Sequence, residues 1–584
     1  MRKPGRPGLW LMAGAIWLLL LAGCASPAPS ASLAPPTATL PASATPPPTP
    51  TLRAITPTPD PTAVPPIVIG MLTPTITPTL GASPTPAPTP TGAAIRQSLP
   101  EPVFPEPFGV QIHFKQPEPG EIAALQGAGF GLVRRDLFWS EIEQQRGIYD
   151  FSEYDAMMAI LARQGLRVLL ILDYGNGLYD GGLPPHTDTG RAAFARFAAA
   201  AARRYRRYDV IWEIWNEPNI SRFWYPEPNA EDYARLAIVT ASAIRRADPT
   251  AVVIAPAVVH FQPEYWTVLG EMGLFRWVDA VSVHPYGVGE PEDALPYYLW
   301  LRRLIDYHSP AWPAPIVNSE AGYSSMEGGF TEAAQANYLA RQALFSMAHD
   351  VRFSVWYDWR NNGENPAELE HNFGTVTYGF DRKPAYYAAR TLARTLDGYR
   401  FARRMAVGGP DDYVLLFQRG ESLALAAWTV AETGVITLPL PLAAVEVVEI
   451  TGARSELQPG DAGFALTLGP APRYVLLGDA PALARMAGWQ PYAAFHRITP
   501  SEGARVVVEN PFPSPRHAEL QVRVAGEVVG RTEVAVPPGG VIHARVPVDG
   551  AGFSGDTRAE VVFIPVDEAL LPLQSAVIWL QFAP

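Results

Sequence analysis

The chain reads as an α/β protein: a (β/α)8 TIM barrel followed by two small all-β domains. Three observations predict this. From Phe108 to about Arg400, short β-branched or apolar runs alternate with helix-length amphipathic stretches. Eight such runs recur at a mean spacing of roughly 35 residues, the size of a βα unit. Beyond about residue 400, helical periodicity stops and apolar–polar alternation takes over.

The elements follow in chain order. At 584 residues the chain is too long for one ordinary domain. Arg2, Lys3 and Arg6 make a basic start, and Leu9 to Gly23 is an apolar run of 15 residues. That is short of the roughly 20 needed to span a bilayer as a helix. The run ends in Leu21-Ala22-Gly23-Cys24, which resembles a bacterial lipoprotein lipobox. The resemblance implies a signal peptide over residues 1–23, acylation of Cys24 and a membrane anchor outside the cytoplasm. Cys24 is the only cysteine, which excludes an intramolecular disulfide. Residues 24–100 are rich in Pro, Thr, Ala and Ser. Such a composition cannot bury enough apolar surface to offset its ordering entropy, so it reads as a semi-stiff stalk.

Residues 101–400 form the barrel. The predicted strands are Gly109–Phe114, Leu132–Leu137, Arg167–Asp173, Asp209–Trp215, Ala251–Val259, Val278–His284, Pro315–Ser319 and Val351–Asp358. Asp188 and Thr189 are suited to cap a helix that places Phe194, Phe197, Ala201 and Tyr205 on one face. Asn229 followed by Asp232 is a loose capping box before Tyr233, Leu236 and Ile244. A doubly wound sheet is the alternative, but no Gly-rich turn follows the first strand. Residues 401–484 read as a small β-domain packed on the barrel. Residues 485–584 read as an immunoglobulin-like β-sandwich with Pro/Gly-rich turns.

The chemistry lies at the strand ends, where barrel active sites sit. Strand four delivers Trp215-Asn216-Glu217-Pro218-Asn219, and Pro218 forbids further regular pairing. Strand seven ends on Glu320. Two carboxylates at two strand ends are the minimum equipment for cleaving a glycosidic bond. Asn216 and Glu217 are adjacent, so strict pleating sends them to opposite faces unless the strand twists or bulges. Glu213 lies four residues before Glu217, on the same side but deeper, and reads as a structural partner for an arginine such as Arg134. His113 and His284 are candidates either for substrate contact or for satisfied interior positions. Trp212 and Trp277 fit core packing. Trp139, Tyr174, Tyr179, Trp224, Tyr225, Trp266 and Trp359 lie at strand ends or loops and are candidates for sugar stacking. No metal is expected, since no His-Glu-x-x-His spacing appears. No cofactor is expected either. The net charge of −12 and the lack of a Lys/Arg run in the folded part argue against nucleic acid.

Trp215-Asn-Glu-Pro-Asn with Glu320 three βα units later resembles the clan A glycoside hydrolases. Val133-Arg-Arg-Asp-Leu-Phe-Trp-Ser-Glu-Ile-Glu, then Gly147-Ile-Tyr-Asp-Phe, is similar to the second unit of family 39 and related family 5 members. Trp356-Tyr-Asp-Trp-Arg resembles their eighth unit. The resemblance covers roughly residues 105–400. It implies a retaining enzyme with Glu217 as acid/base and Glu320 as nucleophile, acting on β bonds of a polysaccharide or glycoconjugate. It also implies that Asn216 binds the sugar 2-hydroxyl, Tyr286 orients the nucleophile and Trp356 stacks under the sugar. Arg134 is suited to keep Glu320 ionised. A non-catalytic carbohydrate-binding lipoprotein and a transglycosylase using the same carboxylates remain the alternatives.

Overall fold

The computed structural model describes residues 98–311, 313–405, 407–480, 491–492, 503–510, 514–549, 555–566 and 573–582. The basic start, the apolar run, Cys24 and nearly all of the proline-rich segment lie outside them. Among the described residues, no helix is long and apolar enough to cross a membrane.

Eight strands close into one parallel barrel in sequence order. They are β1 (Phe108–Gln111), β2 (Leu132–Phe138), β3 (Arg167–Asp173), β4 (Ile211–Ile214), β5 (Val252–Val259), β6 (Ala280–His284), β7 (Ile316–Ala321) and β8 (Val351–Trp356). Closure is made by β1 pairing with β8, Val110 opposite Trp356. The interior is filled by Leu132, Leu169, Ile171, Ile211, Val252, Ile254, Ala280, Val317, Phe353 and Val355. These are alternate residues of their strands, as a packed barrel core requires.

Among the strands whose bounds differ from the sequence reading, four bear on the site or the core. β1 stops at Gln111, so His113 lies past the strand. β4 is only four residues long, because Asp209 (φ 52°) and Trp215 (φ 69°) leave the extended region on either side of it. β7 continues through Glu320 to Ala321, so this carboxylate sits inside the strand. β6 begins at Ala280 rather than Val278. Trp277, expected in the core, therefore precedes the strand and is 40% exposed.

The crossover helices bury one face each. In Asp188–Tyr205, Phe194, Phe197, Ala201 and Tyr205 are all buried. Its cap is Thr187, whose hydroxyl accepts from Gly190 N–H at 3.0 Å, rather than Asp188 or Thr189. Asn229 caps Ala230–Ala247 by accepting from Asp232 N–H at 2.9 Å.

The C-terminal strands are antiparallel. A six-stranded sheet has the order Arg454–Leu457, Val445–Val448, Arg473–Asp479, Ser422–Thr429, Asp412–Arg419, Arg400–Arg404. Its central strands are buried on both faces. Leu415, Phe417, Ala424, Ala426 and Trp428 join the core that surrounds the barrel. The alternate residues Val414, Leu416, Leu423, Leu425 and Ala427 share a second core with Val506, Leu520, Val561 and Leu580 of the later sheets.

A charged clasp joins this sheet to the barrel. Trp428 stacks on Tyr413 (4.9 Å, 4°) and its indole N–H donates to Glu292 Oε1 at 2.8 Å. Buried Arg341 donates to both Glu292 oxygens, at 2.9 and 2.5 Å. Removing one partner of a buried ion pair strands the other charge. Arg341→Met is expected to cost about 3–5 kcal/mol, read as a lowered denaturation midpoint in urea.

Candidate active site

At the C-terminal end of the barrel the apolar interior gives way to polar side chains arranged around Arg134. This residue, on β2, is completely buried. Its Nε donates to Glu213 Oε2 at 2.7 Å, Nη1 to Gln111 Oε1 at 3.1 Å and to Glu320 Oε2, and Nη2 to Asn216 Oδ1 at 2.8 Å. Burial works against the guanidinium charge, and the Glu213 and Glu320 carboxylates more than restore it. Glu213 is thus a buried partner of Arg134, and β4 parity puts it on the same side as Glu217 but deeper.

Past Ile214 the chain abandons the pleat. Trp215 (φ 69°) and Glu217 (φ 46°) both adopt left-handed backbone, which costs a non-glycine residue about 1–3 kcal/mol. The twist brings Asn216 and Glu217 to the same side, resolving the conflict that strict alternation creates. The surroundings hold it in place. Trp215 is buried edge-on against Tyr174 and Trp224, and its indole N–H donates to Phe223 O at 3.2 Å. Asn219 donates to Val259 O at 2.8 Å and accepts from Val259 N–H at 3.0 Å, standing in for a strand partner of β5. Tyr233 and Tyr265 donate their hydroxyls to Ile214 O and Pro218 O.

Glu217, Glu320 and His284 converge, with one ligand-type atom of each within 4.8 Å of the others. The spacing also suits a metal ion, but Arg134 already supplies a cation to Glu320. His284 Nδ1 lies 2.9 Å from Glu217 Oε1. Its Nε2 faces Ser319 Oγ at 3.1 Å and Arg134 Nη2 at 3.4 Å. A guanidinium only donates, so Nε2 is the acceptor and Nδ1–H donates to Glu217. Burial, then the Arg134 charge, push the His284 pKa well below its usual value, so the ring is neutral. Tyr286 donates its hydroxyl to Glu320 Oε1 at 3.0 Å.

The two carboxyl groups therefore differ in their surroundings. Burial, then the negative Glu320, push the Glu217 carboxyl well above its ordinary range, and its bonded partner is a neutral ring. Burial also raises Glu320, but Arg134 and the Tyr286 hydroxyl hold it back. Both carboxyls are thus held above their ordinary range, Glu217 further than Glu320, so Glu217 keeps a proton the more readily.

The remaining sequence candidates fall in different places. His113 forms an ion pair with Asp358 Oδ2 at 2.8 Å and is 41% exposed at the barrel mouth. Desolvation opposes its charge, but the Asp358 carboxylate overrides this and raises its pKa to about 9. Trp356 is buried, with Tyr323 lying over it near-parallel at 6.1 Å and 25°. Trp359 is 1% exposed, and its indole donates to Glu121 Oε1 at 3.0 Å. Trp139 and Tyr179 stack on one another (5.1 Å, 10°) and both bond buried Glu143, so they brace a loop. Trp266 is buried and donates to Tyr297 Oη. Tyr174 stacks on Phe223 (5.5 Å, 9°).

Sequence reasoning missed Gln111, Ser319 and Asp173. Gln111 had a signal, since it stands two residues before His113 on β1. Asp173 ends β3 fully buried; burial, then the neighbouring Asp136, push its carboxyl well above the ordinary range.

A pH dependence follows from Glu217. A carboxyl whose pKa is raised on folding binds more protons in the native state. Its contribution is fully present below the unfolded value of about 4.3 and is lost as pH rises through the raised native value. Glu217→Gln removes the ionisable group. It is expected to raise the melting temperature relative to the parent protein at pH 8, with the difference shrinking towards pH 4.

Residues 102–287 match the family described as Cellulase (glycosyl hydrolase family 5). The chain is 29% identical over 201 residues to a β-xylosidase of Geobacillus stearothermophilus, a match covering 30% of this chain and 40% of that protein. Its structure is similar to a family 39 glycoside hydrolase from the gut symbiont Bacteroides cellulosilyticus WH2, with TM-score 0.57 and 24% identity over 64% of this chain and 81% of that one. It is also similar to a monomeric β-xylosidase from Caulobacter crescentus CB15, with TM-score 0.50 and 17% identity over 66% and 98% of the two chains. These structural likenesses show the fold: a closed parallel barrel with antiparallel sheets after it. Residues 102–287 of the barrel thus match a glycosyl hydrolase family 5 model, and the closed eight-stranded barrel has the fold of family 39 glycoside hydrolases.

Proposed function

We propose that the protein is a retaining glycosidase that cleaves β-xyloside-type bonds outside the cytoplasm. The observation that carries this reading is the approach of Glu217 and Glu320 to within 4.8 Å at the ends of β4 and β7. Retaining enzymes hold their carboxyl groups about 5–5.5 Å apart, whereas inverting ones leave about 6.5–9.5 Å for a water molecule. The names of the relatives support the sugar class.

In this reading Glu320 attacks the anomeric carbon and a glycosyl ester forms as the bond to the leaving oxygen breaks. Glu217 gives that oxygen its proton. With Oε1 accepting from His284 Nδ1–H, the proton of Glu217 sits on Oε2, free to face the substrate. Water then attacks the same carbon, returning a proton to Glu217 and releasing Glu320. Arg134 and Tyr286 stabilise the Glu320 carboxylate before attack and after release. Arg134 also fixes the amide of Asn216 through its Oδ1; one N–H of that amide turns to the Tyr174 hydroxyl, which leaves the other for a sugar hydroxyl. Residues 1–24 support export and acylation at Cys24, and the proline-rich segment serves as a tether.

Glu217→Gln and Glu320→Gln are each expected to lower kcat/KM on an aryl β-xyloside by about three orders of magnitude or more while leaving the fold intact by circular dichroism. A 2-fluoro xyloside should label Glu320, read by peptide mass, and the first-formed product should keep the β configuration by NMR. Near-parental activity in either variant, or a label elsewhere, contradicts the assignment. For the anchor, Cys24→Ala should abolish incorporation of radiolabelled palmitate in a bacterial host.

A further inference from the structure

In a ring of eight strands closed in sequence order, β4 and β8 stand opposite one another. The loop after β4 carries Arg222 and the loop after β8 carries Glu370. Arg222 Nη1 and Glu370 Oε1 are 3.7 Å apart. The pair therefore links the loops that follow two opposite strands. Both of its charges act on Glu217, which is only 7% exposed.

Neither arm hangs freely. The Arg222 guanidinium lies over the Phe223 ring at 5.2 Å, and that ring is stacked on Tyr174. Trp224 N–H closes the same loop onto Ile220 O at 2.9 Å. On the other side, Glu370 Oε2 accepts the Tyr357 hydroxyl at 3.0 Å, and Tyr357 stands edge-on to His113 at 5.8 Å. The short helical turn Leu369–Asn372 that carries Glu370 is pinned by Gln335 Nε2 and Lys383 Nζ, which donate to Asn372 O at 2.9 and 3.2 Å. As an exposed ion pair the contact contributes only about 0–1 kcal/mol to stability. The braces on each arm, rather than the energy of the pair itself, keep the two side chains in contact.

We propose that Arg222 and Glu370 are the specificity-determining residues of the mouth: their bridge makes it a roofed pocket that admits the end of a β-linked glycan and excludes its interior. This rests on the glycosidase reading above. The sugar esterified to Glu320 is then the terminal one, and single sugars leave from the non-reducing end.

The test uses the full chain with two probes, an aryl β-xyloside and β-1,4-xylohexaose labelled at its reducing end. The parent protein should release xylose and leave labelled products shortened one sugar at a time. In R222A/E370A, labelled fragments of intermediate length should appear in the first turnovers. The ratio of kcat/KM on the hexaose to that on the aryl xyloside should rise by about tenfold or more. R222E/E370R, which rebuilds the bridge with the charges exchanged, should return that ratio to within about threefold of the parent. Internal fragments from the parent protein overturn the proposal, as does an unchanged product ladder and ratio in R222A/E370A. If the parent protein cleaves neither probe, the xyloside-cleaving reading fails, and the proposal with it.

Discussion

A guanidinium with no access to water sits in the middle of the barrel, and the site is built around its needs. Taking an ion of this kind out of water costs several kcal/mol even after relaxation. Arg134 offsets that cost with two carboxylates, an amide oxygen from Gln111 and another from Asn216. The planar fork fixes the direction of each bond, so β1, β2, β4 and β7 are held in register around one group. Lysine would offer one compact charge with no such fork. Glu213 pairs with the arginine from below, so Arg134 does not depend on Glu320 alone.

The second constraint is backbone strain beside that arginine. Two left-handed residues in three, neither of them glycine, persist only where the surroundings over-determine them. Here the restraints come from different parts of the chain: Val259 on β5, Phe223 in the following loop, and tyrosines from the helices Ala230–Ala247 and Pro263–Glu271. The strain places an amide and a carboxyl side by side on one face, which no regular strand can do.

Much of the fold was legible because it rests on periodicity. The eight runs became eight strands, and β3 has the bounds that its apolar run suggests, Arg167 to Asp173. The paired carboxylates were legible because a strand end is a poor place for an acid that only packs. Other features escaped for stated physical reasons. Trp359 and Trp139 stand at strand ends as sugar-stacking residues would, but a buried indole needs an acceptor, and Glu121 and Glu143 supply one in each case. Trp277 is apolar enough for a core, yet it lies before the point where β6 begins. The Arg222–Glu370 bridge joins residues 148 positions apart on two irregular loops, where no period exists to read.

The central strands of the six-stranded sheet have no free face. A sheet that shows one face to solvent can be removed and leave its neighbour whole. This one is a shared wall, and pulling it away opens two interiors at once. Loss of the terminal strands would therefore bare one face of the wall whose other face packs on the barrel through Tyr413 and Trp428. Evolution of new loops at the mouth is free to proceed on such a frame, since the strands far from the chemistry share in keeping the barrel closed.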